Sequence, residues 1–219
     1  MTIYRLPFDS SLFNYPVGKT IITEEWNEDE FIEAAKEFQL VYIFSENPLN
    51  ILDSRIRLVD TKITLEKKLL DPRGTIDIKP YDGDLDGDLV SLAYVSGVYS
   101  RFKTDTRLKN GEFENLYKTW IAKALEKKEV LLAPDKTGMV TFSVEYDLGK
   151  IGLIAVSKEN QGQGLGTKLV QAAEYHAFQK GAKKMQISTQ ASNVHACKFY
   201  ESLGYQPLGK VWVYHWWNA

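Results

Sequence analysis

The stretch Gln161-Gly162-Gln163-Gly164-Leu165-Gly166-Thr167 decides the fold, because it is a glycine-rich segment between two regular elements. Before it, residues 151–156 are an uninterrupted apolar run, which predicts a strand at a central position of a sheet. After it, residues 164–180 have helical spacing, and Gly181 follows as a C-terminal cap. Such a loop presents free backbone N–H groups at a helix N-terminus, where the helix dipole favours an anion. The segment therefore predicts a phosphate-binding loop.

Two common nucleotide-binding motifs do not match this loop. A P-loop that starts at Gly162 requires a glycine where Thr167 stands, and the dinucleotide fingerprint fails at the same position. The acidic residue that a dinucleotide site places about 20 residues further on is absent from residues 185–189. The loop instead has the pattern Q-x-x-G-x-G, formed by Gln161, Gly164 and Gly166.

A second motif follows the next predicted strand and has the sequence Asn193-x-x-Ala196-x-x-x-Tyr200-x-x-x-Gly204-Tyr205. Asn193 and Tyr200 are about two helical turns apart at ~3.6 residues per turn, so their side chains share one face of a helix. The small side chain of Ala196 lies between them and leaves room for a ligand. In this order and within one segment, the two motifs resemble those of the GNAT superfamily of N-acetyltransferases.

The resemblance implies a coenzyme site and a mechanism. It implies that the loop binds the pyrophosphate of acetyl-CoA, that Asn193 contacts the coenzyme, and that Tyr200 is the general acid. A backbone N–H near the end of the preceding strand would polarise the thioester carbonyl. The implied coenzyme-binding residues are Ile154, Ala155, Val156, Gln161, Gly162, Gln163, Gly164, Leu165, Gly166, Thr167 and Asn193.

The fold class expected from the pattern and the resemblance is α/β (α+β), with a mixed central sheet of the GNAT acyltransferase type. We expect two units: a small α/β N-terminal unit at residues 1–72, similar to a truncated acetyltransferase, and the acetyltransferase domain at residues 73–219. The break falls at Asp71-Pro72-Arg73-Gly74, a turn signal. A further turn is expected at Asp147-Leu148-Gly149-Lys150 and a strand at residues 75–80.

Shorter segments resemble the dTDP-fucosamine acetyltransferases within that superfamily. They are residues 6–13, Ser100-Arg101-Phe102, Tyr117-x-x-Trp120-Ile121 and Thr189-Gln190-x-x-Asn193. The resemblance implies that the acceptor is a nucleotide-linked amino sugar. Arg101 then binds the diphosphate, which suits the bidentate geometry of arginine, and Phe102 and Phe13 bind the substrate. A surface ion pair for Arg101 and core packing for the two phenylalanines remain alternatives.

The general base is harder to assign, because residues 151–156 contain no acid. Glu145 on the preceding predicted strand is the nearest candidate by sequence. A solvent-facing position for Glu145, with a water chain as the base, is the alternative. Cys197 is not expected to be a nucleophile, since no histidine–acid pair accompanies it in the sequence.

Composition limits the remaining functions. The net charge of −2 gives no global basic field for nucleic acid, and three histidines and one cysteine give no spaced metal cluster. We therefore expect acetyl-CoA as cosubstrate, no metal, no nucleic-acid or membrane partner, and, since no secretory leader is recognisable, a cytoplasmic protein. The aromatic strand of Trp212, Tyr214 and Trp216 fits an acceptor pocket, a homodimer interface or the core. Two alternative functions stay open: acetylation of another amine (an amino acid, peptide N-terminus or polyamine), and a CoA-binding module without turnover.

Overall fold

A computed structural model describes residues 1–72, 74 and 77–218. Its strands are β1 (Tyr4–Arg5), β2 (Val17–Ile22), β3 (Leu40–Ser45), β4 (Ile56–Lys68), β5 (Lys79–Pro80), β6 (Val130–Leu132), β7 (Gly138–Glu145), β8 (Leu148–Val156), β9 (Lys184–Gln190) and β10 (Gln206–Trp217). Its α-helices are α1 (Pro7–Phe13), α2 (Glu28–Ala35), α3 (Gly87–Ser96), α4 (Arg101–Thr104), α5 (Glu112–Glu126), α6 (Leu165–Gln179) and α7 (Val194–Ser202).

The described strands form one ten-stranded sheet in the order β1-β2-β3-β10-β4-β9-β8-β7-β6-β5. The pairs β2/β3 and β8/β9 are parallel and the other pairs are antiparallel. The expected mixed α/β class is therefore confirmed. Helices α3 and α5 cover one face of the central strands, where Leu153 and Ala155 join their core. Helices α6 and α7 cover the other face, where Ile151 lies in the core.

The last strand of the chain connects the two predicted units within this sheet. β10 lies between β3 and β4, so it pairs with two strands from the first 72 residues. β4 also pairs with β9 on its other side, and the buried Glu174 of α6 accepts both its hydrogen bonds from Lys67 of β4 at 2.9 Å. The division of the chain at residue 72 remains a prediction. Strands from both sides of this residue pair within the same sheet.

The structure corrects the predicted turn between β7 and β8. β8 already begins at Leu148, and the turn is made by Tyr146 and Asp147. Tyr146 adopts the left-handed conformation, with φ of 56°, as two-residue hairpin turns require. Gly149 lies inside the strand because the sheet packs closely there: a Cβ atom at this position would come within 2.5 Å of the Met185 sulfur. Helices α1 and α4 were not predicted.

The expected strand at residues 75–80 is described only in part, since Thr75 and Ile76 lie outside the described residues, as does Arg73 of the predicted turn. The aromatic strand near the C-terminus belongs to the core. Tyr214 and Trp216 are buried against Phe31 of α2, and Trp212 packs on the same cluster. Core packing is therefore the role that the structure gives to this face.

Candidate active site

The parallel strands β8 and β9 pair along only part of their length. Their register runs from Leu148 opposite Lys184 to Ile151 opposite Ile187. β8 continues to Val156 and β9 continues to Gln190, so the two strands separate beyond the paired segment. This separation opens a gap in the middle of the sheet.

The backbone of β8 presents hydrogen-bond donors to this gap. On its other edge β8 stays paired with β7, and there the Leu153 N–H donates to the Thr141 hydroxyl at 2.8 Å. Because N–H direction alternates along a strand, the Ala155 N–H also points towards β7. The N–H groups of Ile154 and Val156 therefore point into the gap.

The loop before α6 has the conformation that an anion site needs. Gly162 and Gly164 have φ of 76° and 79°, which favours glycine, and a Cβ atom at either position would meet no atom within 4 Å. α6 begins directly afterwards, and the N–H groups of Leu165, Gly166 and Thr167 belong to its first turn. Such first-turn N–H groups have no intrahelical acceptor. They face open space at the positive end of the helix dipole.

The two glutamines of the loop make local contacts. The Gln161 side-chain amide donates to the Val156 carbonyl at 3.1 Å and so fixes the start of the loop against the end of β8. The Gln163 amide donates to the Glu159 carbonyl at 3.3 Å. Both residues shape the loop, and Gln161 also lines the cleft described below.

Helix α7 places Asn193 and Tyr200 on the same side of the gap as the loop. The Asn193 carbonyl Oδ1 accepts the Ala196 N–H at 3.1 Å and caps the helix, which leaves its amide nitrogen for a ligand. Tyr200 is 5 % exposed and packs against Phe199 and Tyr205. Burial raises the pKa of the Tyr200 phenol well above its ordinary value, with a smaller contribution from Cys197. The phenol is therefore protonated at neutral pH.

A cleft of 1290 Å³ joins these features and passes through the gap to the other face of the sheet. We call the part beside the loop and α7 the loop end; it is lined by Ile154, Ala155, Val156, Gln161, Gly162, Gly164, Leu165, Gly166, Thr167, Asn193 and Tyr200. We call the part beside α3 and α5 the helix end; it is lined by Val95, Val98, Tyr99, Tyr117, Trp120, Lys123, Lys127, Glu129, Ser188 and Gln190. All predicted coenzyme residues except Gln163 therefore meet in one cleft.

Glu145, Phe13 and Phe102 are predicted site residues that lie away from this cleft. Glu145 is at the far end of β7, where it pairs with Leu148, and its side chain is 68 % exposed beside Lys150. The β7–β8 hairpin turn holds it at the end of β8 away from the gap, so this geometry does not suit a general base. Phe13 and Phe102 are buried in the core and pack edge-to-face against each other, which is the alternative expected for them.

Arg101 lies close to the cleft but does not line it. Its guanidinium carbon is 4.2 Å from the centre of the Phe102 ring and 4.8 Å from that of Tyr42. Desolvation lowers the pKa of Arg101. Its Nε is buried and, within the part of the chain that the structure describes, has no hydrogen-bond partner. A surface ion pair, the alternative expected from the sequence, does not describe this side chain.

The helix end contains residues that the sequence analysis did not assign to the site. Tyr117 and Trp120 follow the apolar face of α5, which by spacing alone predicts core packing. Ser188 and Gln190 lie on β9 in an ordinary alternating strand. Tyr117, Trp120 and Gln190 stand in short segments that carried the sequence resemblance, but their apolar or alternating spacing gave them no role, because only the separation of β8 and β9 exposes them to a cleft.

Two further observations concern the described residues. Residues 1–72, 74 and 77–218 contain no cluster of three or more His, Cys, Asp or Glu side chains placed to hold a metal ion. None of the helices in these ranges is both long and apolar enough to cross a membrane.

Comparison with known proteins agrees with the geometry of the cleft. Residues 96–205, half of the chain, match the model of the acetyltransferase (GNAT) family. These residues include the separated strands, the loop and α7. The chain belongs to the GNAT acetyltransferase family.

Individual relatives match a smaller part of the sequence or share only the fold. The chain is 36 % identical over 67 residues to N-alpha-acetyltransferase 30 of Schizosaccharomyces pombe, a match that covers 31 % of this chain and 45 % of that protein. The chain spans less than half the length of the curated relatives it matches.

Two solved structures are similar in fold over most of the chain. A putative GNAT acetyltransferase from Novosphingobium aromaticivorans has a TM-score of 0.55 at 14 % identity and covers 82 % of this chain and 75 % of its own. A tandem GNAT protein from the clavulanic acid biosynthesis pathway has a TM-score of 0.53 at 10 % identity and covers 91 % of this chain and 74 % of its own. At these identities the likeness extends to the fold alone.

Proposed function

We propose that this protein is an acetyl-CoA-dependent N-acetyltransferase that transfers the acetyl group to an amine by direct attack. The observation that carries the proposal is the single cleft that holds the loop amides, the gap-facing N–H groups of β8 and the Tyr200 phenol. Family membership supports the same reaction class. Acetyl-CoA, when bound, supplies the acetyl group as a thioester.

The loop end fits the coenzyme. The free N–H groups at the start of α6 form a donor set for the pyrophosphate, and the space around Gly162 and Gly164 leaves room for it. The open edge of β8 offers backbone groups to an extended chain, in the manner of an added strand. The pantetheine chain would therefore lie along β8 in the gap.

The N–H groups of Ile154 and Val156 are placed to stabilise the reaction. A donor fixed in advance stabilises negative charge that develops on the carbonyl oxygen during attack. These two N–H groups are held by the pairing of β8 with β7, so little reorganisation is needed. They are the proposed donors to the thioester oxygen.

Tyr200 is the proposed general acid. As the amine nitrogen bonds to the carbonyl carbon, the carbon–sulfur bond breaks and the sulfur leaves with the electron pair. The phenol O–H then donates its proton to the sulfur. Its raised pKa keeps the phenol protonated before this step and favours its reprotonation from solvent afterwards.

Glu129 is the proposed general base in place of Glu145. Among the described residues that line the cleft, Glu129 is the one with a carboxylate side chain. It lies at the helix end, opposite Tyr200. A carboxylate there accepts the proton that the amine loses, directly or through water in the cleft. The base and the acid would then act from opposite faces of the sheet.

The acceptor class is proposed from the sequence resemblance alone. A nucleotide-linked amino sugar is the first acceptor to test, and an amino acid, peptide N-terminus or polyamine is the alternative. A CoA-binding module without turnover is a different class, and the protonated, cleft-facing Tyr200 argues against it.

A thiol-release assay tests the proposal. Acetyl-CoA is incubated with the protein and, in separate reactions, dTDP-4-amino-4,6-dideoxygalactose, amino acids, spermidine and peptides. We expect amine-dependent release of free thiol together with acetylated amine by mass spectrometry. CoA binding by calorimetry without thiol release from any amine would contradict the proposed activity and favour the binding module.

A further inference from the structure

The pairing of β7 with β8 is irregular immediately beside the gap. Its register shifts between Val140 and Phe142, so that two residues of β8, Gly152 and Leu153, stand opposite Thr141 alone. One extra residue in one strand of an antiparallel pair is a β-bulge, and bulges next to active sites change the direction of the groups that follow them. This bulge directly precedes the N–H groups that are proposed to bind the thioester oxygen.

The side chains of β8 show what the bulge does to the strand. In a regular strand, residues that are two apart point to the same face of the sheet. Ile151 lies in the core on the α6/α7 face, whereas Leu153 and Ala155 lie in the core on the α3/α5 face. The alternation of side chains is therefore broken between Ile151 and Leu153, at the position of the bulge.

The same shift of one residue decides which N–H groups point into the gap. The direction of the N–H groups alternates along a strand together with that of the side chains, so one inserted residue exchanges the two alternating sets. With the bulge, the N–H groups of Leu153 and Ala155 point towards β7, and those of Ile154 and Val156 point into the gap. The bulge therefore produces the pair of donors on which the proposed mechanism depends.

Thr141 supplies a hydrogen-bond acceptor at the bulge. A bulge disrupts the ladder and leaves one residue unpaired, and a buried N–H group without an acceptor is unfavourable. The Leu153 N–H donates to the Thr141 hydroxyl at 2.8 Å, so that a side-chain oxygen accepts this N–H within the sheet. Thr141 is buried, and water therefore competes little for this hydrogen bond.

Gly152 allows the Thr141 hydroxyl to approach the bulge. A Cβ atom at position 152 would lie 2.8 Å from Thr141 Oγ1, which is too close for a Cβ contact. A side chain at this position would therefore displace the hydroxyl from the Leu153 N–H. The threonine on one strand and the glycine on the other together fix the geometry of the bulge, and both line the cleft.

We propose that Thr141 is a positioning residue for acetyl transfer: its hydroxyl holds the bulge, and the bulge directs the N–H groups of Ile154 and Val156 at the thioester oxygen. This inference rests on the proposed acetyltransferase function and adds a residue to it. Donors that stabilise charge in a transition state are effective when they are held in place before the reaction. Thr141 provides this through β8 and not through its own contact with the coenzyme.

Three variants change this contact. Thr141→Val keeps the branched shape of the side chain and removes the hydrogen-bond acceptor, whereas Thr141→Ser keeps the hydroxyl. Gly152→Ala leaves Thr141 in place and displaces its hydroxyl, so it carries the test alone if Thr141→Val does not fold.

The first readout is the infrared carbonyl band of acetyl-CoA, labelled with carbon-13 at the acetyl carbonyl and bound to the protein without any amine. Hydrogen bonds from the two N–H groups polarise the carbonyl, so we expect binding to the wild type to lower its stretching frequency relative to free acetyl-CoA. In Thr141→Val and Gly152→Ala the donors are misdirected, and this shift should fall by about half or more. Thr141→Ser should retain most of the shift.

The second readout is steady-state thiol release with whichever amine of the proposed assay reacts fastest. We expect kcat in Thr141→Val and Gly152→Ala to fall about 10- to 100-fold. The affinity for CoA, measured by calorimetry, should be retained, because CoA has no acetyl carbonyl to be polarised. Thr141→Ser should recover most of kcat. A general loss of stability would not lower kcat and the carbonyl shift together while CoA binding stays intact.

Thr20→Val is the matched control. Thr20 is also a buried threonine of the sheet, and its hydroxyl donates to the Thr2 carbonyl at 2.9 Å. It does not line the cleft, so its replacement should leave the carbonyl shift and kcat unchanged.

The outcomes separate this inference from the proposed function. A full carbonyl shift and a full kcat in Thr141→Val, or in Gly152→Ala if Thr141→Val does not fold, would overturn the inference and leave the acetyltransferase activity standing. The same holds if Thr141→Ser is as impaired as Thr141→Val, or if binding to the wild type does not lower the carbonyl frequency. No thiol release from any amine would overturn the proposed activity, and with it the role of Thr141.

Discussion

The two ends of the cleft are built in different ways. The loop end uses backbone N–H groups, fixed by glycine conformation and by the start of α6, and its residues lie close together in the sequence. The helix end uses side chains from α3, α5, β9 and the segments that follow α3 and α5, which only the folded sheet brings together. The comparison teaches that one end is built from a short stretch of sequence and the other only from the folded sheet, which is why only the first could be assigned to a ligand, the proposed acetyl-CoA, from the sequence.

The largest effect is expected at the loop end. Gly164→Glu forces a side chain onto a residue with φ of 79° and places a carboxylate at the proposed pyrophosphate site. We expect this change to abolish CoA binding, as measured by calorimetry. Gly209→Glu is the control, because a Cβ atom there meets no atom within 4 Å and the backbone is not left-handed. Unchanged CoA affinity in Gly164→Glu would remove the loop from the coenzyme site.

The next largest effect is expected at Tyr200 of the loop end, where a loss of catalysis can be distinguished from a loss of CoA binding. Tyr200→Phe removes the proposed proton donor without changing the shape of the cleft, so we expect kcat to fall about 10²–10⁴-fold with CoA affinity retained. Tyr205→Phe is the matched control, since Tyr205 is also a buried tyrosine but lies outside the cleft. A full kcat in Tyr200→Phe would exclude this phenol as the general acid.

A smaller effect tests the base at the helix end. Glu129→Gln removes the carboxylate of the cleft, and we expect kcat/KM at neutral pH to fall roughly 100-fold. Glu145→Gln changes an exposed residue at the far hairpin and should leave kcat/KM within twofold. If Glu145→Gln is the more damaging of the two, the assignment of the base is wrong.

The smallest effect concerns the contribution of Asp60 to stability. The pKa of Asp60 is raised from 3.8 to about 6 in the folded protein, so its charged form destabilises the fold. This penalty is fully present above pH 6, decreases as the pH falls towards 4, and is absent when the carboxyl group is protonated in both states. Asp60→Asn should therefore raise the free energy of unfolding at pH 7 by roughly 1–2 kcal/mol, after allowance for partial exposure.

Urea unfolding of the wild type and Asp60→Asn at pH 7 and at pH 4 measures this difference. The advantage of the variant should shrink at the lower pH. A variant that is less stable than the wild type at pH 7 would show that Asp60 is a structural charge.

The same contrast between the two ends explains what the sequence could predict. The loop and the α7 motif are each local in the sequence. The positions of Gln161 to Thr167, Asn193 and Tyr200 could therefore be predicted once a strand and two helices were recognised in that order. The strand and the two helices around these motifs were predictable because their apolar residues are regularly spaced. The roles of residues at the helix end were not predictable, since the segment Tyr117-x-x-Trp120 was recognised only as a resemblance and its amphipathic spacing indicates core packing.

Other features depended on contacts between distant parts of the chain. Asp60 comes within the electrostatic influence of Arg101 because β4 enters the sheet next to β9 and β10, a pairing that no local pattern predicts. Glu145 was expected near the chemistry from sequence proximity, but the hairpin turn at Tyr146 and Asp147 sends it to the opposite end of β8. The misplaced turn at residues 147–150 arose because Gly149 serves close packing against Met185 and not a turn.

The most direct test of the central claim is a crystal structure of the protein with CoA and a non-transferable acetyl thioester analogue. The account predicts the pyrophosphate at the N–H groups of Leu165 to Thr167 and the pantetheine chain in the gap between β8 and β9. It further predicts the thioester oxygen within hydrogen-bonding distance of the Ile154 or Val156 N–H, and the sulfur beside the Tyr200 hydroxyl. A coenzyme bound outside the gap, or a sulfur remote from Tyr200, would contradict it.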